Sequence, residues 1–318
     1  MKRFNLITKM GLIVLMSIFT MSCNDDDTVK TPETIAEIAI ATPGLENLVA
    51  ALQRAGLVDV LNNTGTYTVF APTNAAFATF LSANNFASVN DVPVDVLTQV
   101  LLNHVIATEL PSTSLSTGYV NTLATYADTD LNLSMFVNTA SGVKLNGVSN
   151  VVTPNIEATN GVIHVVDAVI GIPTVVTFAT ADPTFSTLVS ALTTLTPATD
   201  FVSVLSDTNA EFTVFAPTNA AFSALASVPE EPTLTQVLLH HVLGANVVSG
   251  ALTPNGTTTA TTLQGNNITI TLPGTNGNIA NMTDGSGNSN IGIIKVDVQA
   301  GNGVIHVINK VAIPNLNS

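Results

Sequence analysis

YTVFAPTNAAF at residues 67–77 is the stretch that decides the fold, because FTVFAPTNAAF at residues 212–222 repeats it with one change. Two further phrases recur in the same order. LTQVLLNHVI (97–106) returns as LTQVLLHHVL (234–243), and NGVIHVVDAV (160–169) returns as NGVIHVINKV (302–311). The offsets are 145, 137 and 142 residues, so the halves align with only short insertions between landmarks. A solenoid unit is about 20–50 residues, whereas a globular domain of roughly 100–150 residues fits this period. The chain therefore reads as one domain duplicated in tandem, with boundaries at 34–173 and 174–315 and an expectation that each copy folds on its own core.

Within the first copy, 34–60 carries apolar residues at helical spacing, broken by Pro43-Gly44. Tyr67 to Phe70 alternates as a strand that Pro72 ends, and Thr73 or Asn74 caps a helix holding Phe77, Phe80 and Leu81. Residues 93–106 read as a further helix. After Tyr119 the pattern turns to strands at 131–137, 143–145, 148–152 and 162–170, with Asn146-Gly147 as a hairpin turn. The second copy repeats the order, except that 253–290, crowded with Thr, Asn and Gly, reads as long hairpin loops between strands at 267–272 and 291–298. Helices early and strands late predict an α+β domain with a mainly antiparallel sheet.

The chain opens with Lys2, Arg3 and Lys9, an apolar run at 11–19, and Thr20-Met21-Ser22-Cys23. A charged start, a short apolar stretch and small residues describe a secretory signal over 1–22, about half the length of a membrane-crossing helix. Cys23 is the one cysteine, which leaves no intramolecular disulfide. Its position resembles the lipobox of bacterial lipoproteins, with Thr20 standing where leucine is usual, and this implies lipid attachment at Cys23. Asn24 and Asp25–Asp27 follow, and 23–33 reads as an acidic tether. The acidic run also resembles the export signal of surface-displayed bacterial lipoproteins, which implies an outer-membrane anchor facing outward. Removing Lys2, Arg3 and Lys9 leaves five basic against 22 acidic residues, a formal charge of −17. That balance disfavours nucleic acids, heparin-like polymers and bare anionic lipid surfaces as partners, and no nucleic-acid partner is expected.

TVFAPTNAAF, the LLNHV or LLHHV phrase and the closing NGVIHV together resemble the two sequence blocks and the histidine motif of fasciclin-like domains, in order and in both copies. The resemblance implies two tandem domains, each a mainly antiparallel β-wedge or sandwich flanked by helices. It also implies adhesion or protein interaction at the cell surface, with an extracellular protein, matrix or polysaccharide partner. Members implicated in integrin binding carry tyrosine before the mid-domain histidine. Here Asn103 and His240 hold that position, so integrin recognition is not carried over.

Asn103, His104, His240 and His241 are the candidate binding or structural motif. His104 and His241 fall on the apolar side of a helical pattern, where a histidine is more often a hydrogen-bonded core residue than a ligand. His164 and His306 share strand faces with valines, while His240 has no histidine counterpart and is expected to be more exposed. The 284–290 stretch resembles a calcium loop but has Ser289 where glycine and Lys295 where glutamate would stand, and no metal or other cofactor is expected. No nucleophile elbow, phosphate loop or dinucleotide fingerprint is present, so the chain does not read as an enzyme. The alternative to adhesion is capture of a small molecule or polysaccharide in a groove between the domains.

Overall fold

The computed structural model describes residues 33–316 apart from residue 128. The first copy starts with α1 (Ile35–Ala41), α2 (Glu46–Ala55) and α3 (Val58–Asn62), followed by β1 (Tyr67–Pro72) and α4 (Asn74–Ala83). Next come α5 (Val94–Leu102), β2 (Val105–Ile106) and β3 (Gly118–Thr125). The copy closes with β4 (Asn132–Asn138), β5 (Lys144–Leu145), β6 (Ser149–Ala158) and β7 (Gly161–Val166). Helix α1 begins at a capping box in which Thr34 accepts from the Glu37 amide and the Glu37 side chain reaches back to Thr34. Gly56 ends α2 in the left-handed conformation.

In the second copy the order is α6 (Val175–Ala181), α7 (Ser186–Thr193), α8 (Phe201–Leu205), β8 (Phe212–Pro217) and α9 (Asn219–Ser223). Then follow α10 (Thr233–Leu239), β9 (Val242–Leu243), β10 (Thr257–Thr261), β11 (Asn267–Thr271), β12 (Ala280–Thr283), β13 (Ile291–Ala300) and β14 (Gly303–Ile308).

Each copy builds a seven-stranded sheet in the order β2-β1-β7-β6-β5-β4-β3, matched in the second by β9-β8-β14-β13-β12-β11-β10. All neighbours are antiparallel except one pair per copy. β1 runs parallel to β7 from Tyr67↔Gly161 to Pro72↔Val166, and β8 runs parallel to β14 from Phe212↔Gly303 to Pro217↔Ile308. The glycine of NGVIHV is required here. A Cβ would sit 1.9 Å from the Tyr67 carbonyl oxygen at Gly161 and 2.2 Å from that of Phe212 at Gly303, and both residues hold φ near +150° (+145° and +152°). Strand alternation divides each core. Val69, Ala71, Ile163 and Val165 face the helices, whereas Phe70 and Val166 face a second cluster with Met135, Val137 and Leu145.

Two readings of the sequence are corrected. The helix expected over 93–106 stops at Leu102, and Val105-Ile106 instead pairs with β1. Both residues are β-branched, a type that favours a strand over another helical turn. His104 therefore sits in the turn after the helix. The 253–290 stretch is not merely loop, since β10 and β12 lie inside it. Many of its threonines are strand residues: Thr259 faces Thr269 across β10–β11, with their hydroxyls 3.3 Å apart. No single helix among the described residues is long and apolar enough to cross a membrane.

Candidate functional site: buried polar clamps and the seam between the copies

The residues that carry the repeated phrases are built into hydrogen-bonded clamps, each made twice. His104 is 2% exposed and His241 3%. The Ile170 amide donates to Nε2 of His104 (2.9 Å), so that nitrogen carries no proton, and Nδ1–H donates to the Val100 carbonyl (2.7 Å). His241 repeats this with the Ala312 amide (3.0 Å) and the Val237 carbonyl (2.7 Å). Each imidazole thus fastens the segment that follows β7 or β14 to helix α5 or α10. Burial pulls both pKa values down to about 4, against a smaller opposing effect of the carbonyl bond.

Asn103 and His240 sit one residue earlier, both fully buried. Asn103 Nδ2 donates to the carbonyls of Ile170 (3.3 Å) and Gly171 (3.0 Å), and its Oδ1 accepts from the Thr122 hydroxyl (3.2 Å). His240 Nε2 accepts from the Gly285 amide (3.0 Å) and Nδ1–H donates to the Thr262 hydroxyl (3.1 Å). The expectation that His240 is the more exposed histidine is therefore overturned: the 262–266 turn and the 284–288 loop close over it. Asp284 spends its carboxylate inside that loop, where Oδ1 accepts from the amides of Ser286 (3.0 Å) and Asn288 (2.8 Å). Its Oδ2 accepts from Asn288 Nδ2 (2.8 Å) and from the Ile313 amide (2.8 Å). That pattern is an anchor for backbone amides, which leaves the carboxylate without lone pairs directed at a cation.

His164 and His306 each serve a bulge in the neighbouring strand. Asn155 and Asp297 adopt left-handed conformations, with φ of 61° and 58°. Their amides donate to Nδ1 of His164 (3.1 Å) and of His306 (3.4 Å). Nε2–H then donates to the Leu110 or the Val247 carbonyl, both at 2.9 Å. The threonine of TVFAP does parallel work. Thr68 donates to the Thr108 carbonyl (2.7 Å) and accepts from the Leu110 amide (2.8 Å), and Thr213 does the same with Ala245 (2.6 Å) and Val247 (2.8 Å).

The asparagine of NGVIHV is a buried residue that sequence reasoning passed over, although its place in a repeated phrase was the available signal. Asn160 accepts from the Ile35 amide (2.9 Å) and donates to the carbonyls of Leu61 (2.8 Å) and Asn63 (2.9 Å). Asn302 matches it with Val175 (2.9 Å), Leu205 (2.8 Å) and Asp207 (3.1 Å). One side chain therefore fixes the start of the first helix and the end of the third. Asn160→Ala is expected to leave three buried backbone groups short of a partner and to lower unfolding free energy by about 2–3 kcal/mol in urea titration. Asn302→Ala should cost the same, and no change in either would show that water replaces the clamp.

A second feature invisible to the sequence reading joins the copies. Tyr119 on β3 packs against Phe136 on β4 (ring centroids 5.0 Å apart) and edge-on against Phe178 on α6 (5.5 Å), while Lys295 Nζ lies 5.5 Å from its ring centre. Its hydroxyl donates to Asp182 Oδ2 (2.9 Å), and burial followed by that carboxylate raises its pKa. Phe136, 2% exposed, belongs to the hydrophobic cluster of the second copy. The Tyr126 hydroxyl donates to Glu211 (2.8 Å), and the Gln299 amide donates to Ser134 (3.1 Å). Residues from Glu33 onward form one compact unit. Cys23 and Asp25–Asp27 lie outside the described residues.

Fold and clamps together define a tandem pair of backbone-clamped α+β modules fused along an aromatic seam. The family model for the fasciclin domain matches twice, over residues 43–173 and 183–314, and the chain belongs to that family. It is similar to Protein sll1483 of Synechocystis, 36% identical over 134 residues covering 42% of this chain and 71% of that protein. Uncharacterized protein sll1735 of the same organism is 35% identical over 133 residues, covering 42% of this chain and 93% of that one. Transforming growth factor-beta-induced protein ig-h3 of Sus scrofa is 44% identical over 63 residues, 19% of this chain and 8% of that protein. Among solved structures, the FAS1 domain pair of the insect cell adhesion molecule Fasciclin I superposes with a TM-score of 0.50 at 20% identity, covering 84% of this chain and 96% of that one. At that identity the likeness bears on fold.

Proposed function

We propose that this chain is a surface lipoprotein that mediates adhesion through the outer faces of its paired domains. The boundaries we assign are a signal at 1–22, a tether at 23–33 and domains at 34–173 and 174–315. Cys23 carries the lipid, Asp25–Asp27 directs display on the outer membrane, and the partner is an extracellular protein or a matrix polysaccharide. The observation that carries this reading is the Tyr119–Phe136–Phe178 seam, which holds two modules in one orientation and so composes an extended surface from both. Family membership and the adhesion molecule named among the structural neighbours support it. So does the commitment of all five histidines to hydrogen bonds with backbone or a hydroxyl, which leaves none of them free for proton transfer or metal binding. Capture in a groove between domains is less favoured, because aromatic rings fill the seam and none of the hollows described draws on both copies.

The test uses cells expressing the full chain. Wild-type cells should be retained on immobilised matrix protein or polysaccharide above an albumin control, and protease should shave the domains from intact cells. Cys23→Ala should release the protein into the soluble fraction and abolish retention, since one or more acyl chains supply the anchor. Retention equal to albumin would contradict the adhesion reading, and a membrane-bound Cys23→Ala protein would contradict the anchor.

A further inference from the structure

Among the described residues, the second copy contains an apolar cavity between its first three helices. It lies between α6, α7 and α8 over β8 and β14, with a volume of about 280 Å³. Val176, Val189, Leu192, Val202, Leu205 and Ile305 are among its lining residues. The two threonines on its wall turn their hydroxyls to their own helices: Thr180 donates to the Val176 carbonyl (2.9 Å) and Thr193 to that of Val189 (2.8 Å). No charged side chain lines it. None of the hollows described in the first copy lies between its first three helices.

Two differences between the copies bear on this cavity. Between Gln53 and Leu57, the residue that precedes α3, the first copy has three residues, 54–56; between the matching Thr193 and Phe201 the second has seven, 194–200. The four extra residues lengthen the connection into α8, which packs less closely on α6 than α3 does on α1. At the same time, each charged residue of the first copy's helical stretch is replaced by a hydroxyl residue: Glu37 by Thr177, Glu46 by Ser186, Arg54 by Thr194 and Asp59 by Ser203. The carboxylates that remain are engaged, Asp182 with Tyr119 and Thr184 and Asp200 with the Ser203 amide at the start of α8. Val202 is 39% exposed while lining the cavity, so the space opens at α8; Leu195 and Val204 nearby in sequence are 44% and 54% exposed.

From these observations we infer that the second copy binds the alkyl chain of a single-chain amphiphile, tail between the three helices and polar head outside beside Val202. Water is a poor occupant, because a buried water needs two to four polar partners and this wall offers none. A dry cavity of about 150 Å³ accommodates benzene, so 280 Å³ suits a chain on the order of ten carbons. A flexible chain with no polar atom in its tail matches a lining with no free donor or acceptor, and burial of that tail supplies the driving force, about 0.8 kcal/mol per CH₂. The inference is independent of the adhesion reading, which concerns the outer faces.

The test is titration calorimetry of the delipidated full chain with 1-decanol, with phosphatidylcholine vesicles as a separate arm to distinguish a free amphiphile from a membrane. Saturable one-to-one binding of 1-decanol with a negative heat-capacity change is expected. Val202→Asp, which places a charge at an exposed mouth position, should weaken it at least about tenfold with the melting temperature unchanged. Ala179→Phe, which fills the space, should do the same, and Val204→Asp should have no effect. Absence of saturable 1-decanol binding overturns the inference, as does binding that Val202→Asp leaves intact. Binding to vesicles alone also overturns it, in favour of surface partition.

Discussion

Replacing Phe136 with alanine is expected to lower unfolding free energy by about 3–5 kcal/mol and to split one calorimetric transition into two. The magnitude is that of truncating a fully buried aromatic ring, and Phe136 is 2% exposed. The splitting follows from where the ring sits. It is covalently part of the first copy's β4 yet packs in the second copy's cluster with Phe178, Val298 and Ile305, so its removal weakens the coupling more than either individual core. Tyr119→Phe makes the finer comparison, keeping the ring contacts but losing the bond to Asp182, a charged acceptor worth about 1.5–3 kcal/mol. A Phe136→Ala protein that still melts in one transition at nearly the wild-type temperature would show that the seam is contact without coupling.

Acidification is expected to be the larger effect. His104 and His241 have folded-state pKa values near 4 against an ordinary value of 6.5, because burial disfavours the imidazolium. Between those values the unfolded chain binds the proton and the folded chain does not, so stability is fully present above pH 6.5 and is lost as pH falls towards 4. At about 1.4 kcal/mol per pH unit, each histidine contributes about 3 kcal/mol over that window, a sizeable share of the 5–15 kcal/mol typical of a domain. Burial also lowers the pKa values of His164, His240 and His306, so their influence has the same sign. Beside His241, Asp284 opposes the shift and His240 adds to it. Urea midpoints measured from pH 7.5 to 4.5 should fall steeply below pH 6.5, and the double variant His104→Gln, His241→Gln should flatten the slope while starting from a lower midpoint. A wild-type midpoint constant across that range would rule out buried neutral imidazoles.

What the sequence revealed and what it hid divide along a physical line. TVFAPTNAAF announces a strand that ends at proline and a helix capped by threonine, and both copies make that turn as β1–α4 and β8–α9. These are local signals, carried by residues a few positions apart. The parallel pairing of Tyr67 with Gly161 was not legible, because nothing near either residue records the other, nearly a hundred positions away. Thr257–Thr261 was hidden for a different reason: threonine serves strands and turns alike, and with Gly and Asn nearby the turn reading prevailed. Tyr119 gave no periodic sign of its role, since its partners Phe178 and Asp182 lie across the junction. At the candidate motif the pattern placed His104 and His241 on an apolar side, yet it could not show that Asn103 and His240, chemically unlike, occupy equally buried positions and make equivalent ties.

The central claim is that the histidines of the repeated phrases hold the backbone and leave recognition to the outer surface. Nitrogen-15 NMR of the imidazoles tests it most directly, because tautomer and titration are read for each ring. The hydrogen bonds require Nδ1–H on His104, His240 and His241 and Nε2–H on His164 and His306; His104 and His241, with pKa values lowered to about 4, remain neutral from pH 8 to about 5.5, and burial lowers the pKa of the other three below the ordinary histidine value. A ring of the Asn103-His104 or His240-His241 motif that titrates freely near 6.5, or that exchanges tautomers, would contradict the account and return that motif to the list of binding sites.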